Sequence, residues 1–284
     1  MESQTEMNGI PGVDAEQRFN MSRAASGFSR RQLIRYFCVM TGGALLGLFN
    51  ISKGFAGENI RSQKHRAPKI ALIVDDIGYN RSLAWQFVEL NEILTFSILP
   101  KVSYSRELAF ELNHQGYEVM LHQPMEPYSN CCDPGPGALF VGDNAQHIEK
   151  ILQANIRSIP FAKGVNNHMG SKFTASPNEI GNALKVIRSS GMFFVDSYTS
   201  SRSLAHATAR RYHIPTAHRN VFLDNVRQES AIMSQLVHLQ KHAMLYGRAI
   251  GIGHPFPETV RAIGRFAKRL KQSNVSLVPV SEIL

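Results

Sequence analysis

A chain of 284 residues, 43% hydrophobic and 19% charged, has room for one large domain or two small ones with a core of ordinary size. A formal net charge of +9 favours anionic surroundings, but no Lys/Arg stripe interleaved with aromatics runs through the chain, which argues against nucleic acid as a partner. Its three cysteines, Cys38 and the adjacent Cys131 and Cys132, have no CxxC spacing, so nothing points to a thiolate zinc site.

Residues 1–28 are polar, mixed and aperiodic, the pattern of a disordered segment. Ser29-Arg30-Arg31-Gln32-Leu33-Ile34-Arg35 then leads into an uncharged apolar run, Tyr36 to Ile51, with glycines at 42, 43 and 47. Adjacent arginines before such a run resemble a twin-arginine export signal. Its sixteen residues fall short of the roughly 20 that a spanning helix needs, and suit the apolar part of a signal. Residues 1–56 are therefore expected to be a disordered start plus a signal, cleaved near Ala56 or kept as an anchor. The expected destination is the periplasm or cell envelope, with membrane contact only through this segment if it is uncleaved. Residues 57–68 read as a polar, basic linker.

From Lys69 to the C-terminus, short apolar runs alternate with longer amphipathic ones. Strands are expected over 69–75, 94–99, 118–122, 162–166, 192–196, 219–223, 248–253 and 275–279. Helices are expected over 80–91, 103–115, 144–158, 176–190, 201–211, 227–246 and 257–273. Ser176-Pro177-Asn178-Glu179 offers an N-cap serine, proline at the first helical position and glutamate at the third. Gly116 and Gly191 are placed to close helices before strands. Alternation of this kind implies βαβ units, a parallel sheet, and an α/β barrel or an open doubly wound sheet. The long irregular stretch 123–143, rich in Pro and Gly, lies at a strand end, where such loops commonly carry function.

The first strand candidate, Lys69-Ile70-Ala71-Leu72-Ile73-Val74, runs into Asp75-Asp76, a repulsive pair unless a cation or shared proton joins it. Polar residues with metal or acid–base capability recur at later strand ends: His122, then Asn166, Asn167 and His168, then Asp196 and Ser197, then His254. In a parallel barrel all these ends share one face. One carboxylate plus two imidazoles is a normal protein ligand set for a catalytic zinc, and suits other divalent metals too. Each residue has a plainer alternative. Asn167 equally suits tying down a turn, and Asp196 equally suits an N-cap. Glu126 fits a ligand, a partner for an imidazole N–H, or a loop surface charge.

Taken together, Val74-Asp75-Asp76-Ile77-Gly78, Met120-Leu121-His122-Gln123-Pro124-Met125-Glu126-Pro127, Asn166-Asn167-His168-Met169-Gly170-Ser171, Phe194-Val195-Asp196-Ser197 and Gly251-Ile252-Gly253-His254-Pro255 resemble the divergent polysaccharide deacetylases. The resemblance covers about residues 68–284, with the motifs in order. It implies a distorted (β/α) barrel of about seven strands and a metal-dependent site at the strands' C-terminal ends. Carried over by motif, Asp75 resembles the general base, Asp76 and His122 metal ligands, and His254 the general acid. Four residues after His122, where ordinary polysaccharide deacetylases have a second histidine, stands Glu126. Their arginine-proline motif is also missing near 164–171. The third ligand is then Glu126 or comes from elsewhere, and His168 is the first choice.

The expected activity is hydrolysis of acetyl groups on a polysaccharide or peptidoglycan-type glycan, with a divalent metal, zinc first. Asn167, Asp196 and Ser197 are expected to support the substrate or an imidazole. Two rivals stand beside it: a glycan-binding protein of the envelope without turnover, and a glycosidase using Asp75 and Asp196 as its carboxylate pair.

Overall fold

The computed structural model describes residues 67–130 and 132–284, so the expected signal, and nearly all of the linker, lie outside the described residues. The strands are β1 (Lys69–Ile77), β2 (Thr95–Ile98), β3 (Glu118–Met125), β4 (Gly164–Met169), β5 (Phe193–Asp196), β6 (Thr216–His218), β7 (Val221–Phe222), β8 (Arg248–Gly253) and β9 (Ser276–Leu277). The helices between them are α1 (Arg81–Val88), α2 (Ser105–His114), α3 (Ala145–Ser158), α4 (Pro177–Ser189), α5 (Ala205–Arg211), α6 (Glu229–Tyr246) and α7 (Pro257–Leu270). Every expected strand and helix is present. The extra strand, β6, is three residues long and carries no apolar run, so periodicity gave it no signal.

Local chemistry accounts for the boundaries. Asn80 caps α1 by accepting from the Leu83 N–H at 3.1 Å, and Asn144 caps α3 by accepting from His147 N–H at 2.9 Å. Ser176 departs from expectation. Pro177 does open α4, but the serine hydroxyl donates to the Lys172 carbonyl at 3.0 Å instead of capping the helix. Gly116 and Gly191 follow α2 and α4 with φ of 84° and 69°, the left-handed exit that glycine takes without strain.

All strand pairs are parallel, in the order β6-β5-β4-β3-β2-β1-β8-β7, with β9 alongside the first residues of β1. The sheet curls until its ends meet. Arg219 N–H donates to the Asp196 carbonyl beside β5, and the next residue, Asn220, donates to Ile250 of β8. Two consecutive residues thus bridge the seam of a distorted (β/α) barrel.

The strands' period of two sorts side chains between two cores. Ile70, Leu72 and Val74 of β1, with Val119, Leu121, Val165 and Phe194, face the helices. Ala71, Ile73, Met120, Phe193, Val195, Ile250 and Ile252 fill the barrel interior. Gly164 belongs to this inner set: a Cβ there would lie 2.1 Å from the Phe193 ring. The C-terminal residues Val278, Val280 and Ile283 close the bottom of the barrel. Val280 N–H donates to Thr95 Oγ1 and Ser281 N–H to Glu118 Oε1, both at 3.1 Å. Continuing the inward register towards the other mouth gives Asp75, His122, Asn166, Ser197 and His254.

The irregular stretch begins later than expected, because β3 continues to Met125. It then folds back on that strand through Glu126 N–H to the Leu139 carbonyl at 2.9 Å and Leu139 N–H to the Pro124 carbonyl at 3.0 Å.

Candidate active site

The mouth at the strands' C-terminal ends holds a cavity of about 350 Å³ lined by Asp75, His122, Asn167, His168, Ser197, Arg219 and His254, among others. Three residues at strand ends carry positive φ: Asp76 at 56°, Met169 at 52° and Tyr198 at 50°. Such angles cost about 1–3 kcal/mol each and persist only where the surroundings enforce them. At Asp76 the effect is specific. The register of β1 against β2 shifts between Val74 and Ile77, and Asp76, which strict alternation would turn away from Asp75, joins it at the mouth.

Asn166 is the hub. Its Nδ2 donates to Asp75 Oδ1 at 2.8 Å and to Ser197 Oγ at 3.2 Å. A carboxylate only accepts, so the amide orientation is fixed, and its Oδ1 is left to accept from Ser97 Oγ at 2.5 Å and from His122 Nδ1 at 2.9 Å. His122 therefore holds its proton on Nδ1 and turns Nε2 to the cavity. That Nε2 lies 3.2 Å from Asp76 Oδ1 and 3.6 Å from Asp75 Oδ2. His168 Nδ1 lies 2.9 Å from Asp76 Oδ1 and 3.2 Å from His122 Nε2.

Asp76 Oδ1 is nonetheless a buried oxygen without a properly directed hydrogen-bond donor. Atoms of Asp76, His122 and His168 that can ligate a metal thus converge within 4.8 Å of one another. Such a cluster asks for a cation or an extra proton. The electrostatics agree. Burial favours neutral Asp76, but the imidazoles of His122 and His168 overturn this and hold its carboxyl well below the usual range. Burial likewise opposes charge on His122, but Asp75 and Asp76 raise its pKa on balance. Asp75 goes the other way: desolvation dominates and raises its pKa despite His122, His254 and Asn166.

Opposite stands His254. Its Nδ1 meets Asp224 Oδ1 at 2.9 Å, leaving Nε2 on the cavity side, 3.9 Å from Asp76 Oδ2. Asp224 Oδ2 accepts from the His254 N–H and, at 2.8 Å, from Thr259 Oγ1. Burial works against the imidazolium, yet the hydrogen bond and charge of Asp224 push the pKa of His254 up to about 9.

Residues 72–284 match the family model described as divergent polysaccharide deacetylase. The chain belongs to the divergent polysaccharide deacetylase family. It is 31% identical to the uncharacterized protein YibQ of Escherichia coli over 219 residues, covering 77% of this chain and 68% of that protein. It is 27% identical to an uncharacterized protein of Haemophilus influenzae over 215 residues, 76% of each chain. Among solved structures it resembles the uncharacterized protein ATU2773 of Agrobacterium tumefaciens C58, with TM-score 0.73 and 24% identity over 77% of this chain and 90% of that one, which shows a shared fold.

In this divergent deacetylase domain, Asp75, Asp76, His122, His168 and His254 come together, and Ser197 joins them through Asn166. Three other expected residues have their polar atoms committed to other partners. Glu126 accepts from Lys172 Nζ at 2.6 Å and from Val141 N–H at 2.7 Å, pinning the loop after β3, and it contacts no imidazole. Asp196 sits on the helix-facing side of β5, and the N-cap position of α5 is Leu204, not Asp196. It accepts from Tyr198 N–H, Ser203 Oγ and His206 N–H, so neither an imidazole in the cavity nor a glycosidase pair with Asp75 draws on it. Asn167 lines the cavity but spends its amide on Met169 O at 2.7 Å and Ser197 N–H at 2.9 Å. Two important residues had no role assigned from sequence, Asn166 and Asp224. Asp224 sits just past the expected strand 219–223, the same kind of position that singled out Asp75 and His254.

Proposed function

We propose that this protein is a metal-dependent hydrolase that removes acetyl groups from a polysaccharide or cell-wall glycan, and that it acts in the periplasm or cell envelope. The observation that carries the reading is the unsatisfied, buried Asp76 Oδ1 between two imidazole nitrogens. Asp76, His122 and His168 would hold a divalent ion, zinc first for an oxygen-and-nitrogen donor set. Such an ion supplies Lewis-acid polarisation of an acyl carbonyl and acidifies water.

The chain's own residues do the rest. Asn166 occupies Asp75 Oδ1 and leaves Oδ2 to take the proton of the attacking water. The upward pKa shift of Asp75 makes it a better base than an ordinary aspartate. His254, protonated at neutral pH and steadied by Asp224, delivers a proton from Nε2 to the departing amine or alkoxide. The bond from the acetyl carbon to that nitrogen or oxygen breaks, and acetate leaves.

Purified protein supplied with zinc or cobalt is expected to release acetate from at least one member of a broad panel of acetylated glycans, and Asp75→Asn to abolish that release. Silence across the panel would contradict the reading. Glycan binding without acetate release would move the protein to the binding class.

A further inference from the structure

We infer that Arg219 is a specificity residue of this site and that it receives a carboxylate carried by the acetylated glycan. The inference rests on the glycan reading above but not on turnover. Arg219 lies on the barrel seam, and its side chain lines the same cavity as Asp75, His122 and His254. It is rigidly held: Nε donates to the Ser197 carbonyl at 2.6 Å, Nη2 donates to the Tyr198 carbonyl at 3.0 Å, and the guanidinium lies 4.9 Å from the Phe222 ring centroid.

Those bonds use two of the five N–H donors of a guanidinium. Among the described residues Arg219 has no ion-pair partner. Asp75 and Asp196 act on it only through space, and burial pulls its pKa down. Arginine stays charged in proteins, so a half-buried guanidinium without a counter-ion costs energy that an anionic ligand recovers. Its planar fork matches a carboxylate in particular.

The rest of the mouth fits such a ligand. Arg202 lies over Tyr128 at 5.9 Å and Arg227 over Phe256 at 3.8 Å, both arginines exposed on loops at this end of the barrel. Rings offer faces for sugars while guanidinium groups offer charge.

The test is calorimetric binding to the metal-loaded, full-length protein in an Asp75→Asn background, which separates binding from turnover. The probes are an N-acetylglucosamine–glucuronate tetrasaccharide and an N-acetyl amino-sugar disaccharide carrying a lactyl ether, each beside its methyl ester. For at least one probe the acid should bind on the order of tenfold more tightly than its ester. Adding Arg219→Gln should bring the acid down to the ester's affinity, and Arg219→Lys should retain part of the difference. Three outcomes would each overturn the inference. Acid and ester bind alike for both probes; the preference survives Arg219→Gln; or Arg219→Gln removes both ligands together, as a mere holder of the 197–198 loop would. Absence of acetate release from the enzyme with Asp75 intact leaves the inference standing and counts only against the hydrolase reading.

Discussion

Asn166 shows how much one amide decides. It orients Asp75, fixes the tautomer of His122 and ties both to Ser97 and Ser197. Asn166→Leu leaves several buried polar groups without partners at about 1–3 kcal/mol each, so a total loss of roughly 3 kcal/mol or more in denaturant melts is expected. The milder Asn166→Ala should lower metal affinity by about 10–100-fold, the usual effect of removing a ligand's hydrogen-bond partner. An unchanged melt and unchanged affinity would mean that His122 and Asp75 do not depend on it. In the proposed hydrolysis, the pair His254–Asp224 is expected to set the pH response. The proposed acid must be protonated, so acetate release is expected below the His254 pKa and is expected to fall as pH rises through about 9. The proposed base must be ionised, so release is also expected to fall at low pH, above the range of an ordinary aspartate because Asp75 is shifted up. Asp224→Asn removes the charge that raises His254. The alkaline limb of kcat/KM should then move down towards the ordinary histidine value; a limb that stays near 9 would assign it to another group.

At the scale of the elements, the inward register of the strands decides what reaches the mouth. Gly164 makes room for Phe193 in the inner layer. Gly164→Ala should destabilise by roughly 1–3 kcal/mol, as overpacking does, and Phe193→Leu in the same background should recover part of that loss. Strictly additive losses in the double variant would show that the two do not share the space. The same register explains what sequence could and could not tell. Branched apolar runs and cap residues were enough to locate all eight expected strands and the seven helices. They also placed Asp75, Asp76, His122, His168 and His254 on one face. Asp196 ends β5, Asp224 follows β7 by two residues, and alternation gives the direction of the first only. Phe193 and Val195 point inward, so Asp196 points to the helices and binds α5's start. Asp224 lies beyond a two-residue strand, too short for a readable alternation. Asp76 breaks alternation altogether, and nothing in the composition of β1 announces the left-handed φ that brings it to its neighbour.

For the molecule as a whole, residues separated by more than ninety positions meet because a parallel sheet rolls up and presents every strand's C-terminal end at one mouth. The apolar interior below, sealed by Val278, Val280 and Ile283, gives that mouth a rigid and poorly hydrated base. A carboxylate and two imidazoles brought this close, with no well-directed hydrogen bond to Asp76 Oδ1, are expected to take up a divalent ion. The most direct measurement is the metal content of the purified protein, by mass spectrometry, beside Asp76→Ala, His122→Ala and His168→Ala, with folding checked by circular dichroism. About one divalent ion per chain is expected, with near-complete loss in each folded variant. A folded His168→Ala protein that keeps its metal, or a parent protein that binds none when zinc is supplied, would contradict this expectation.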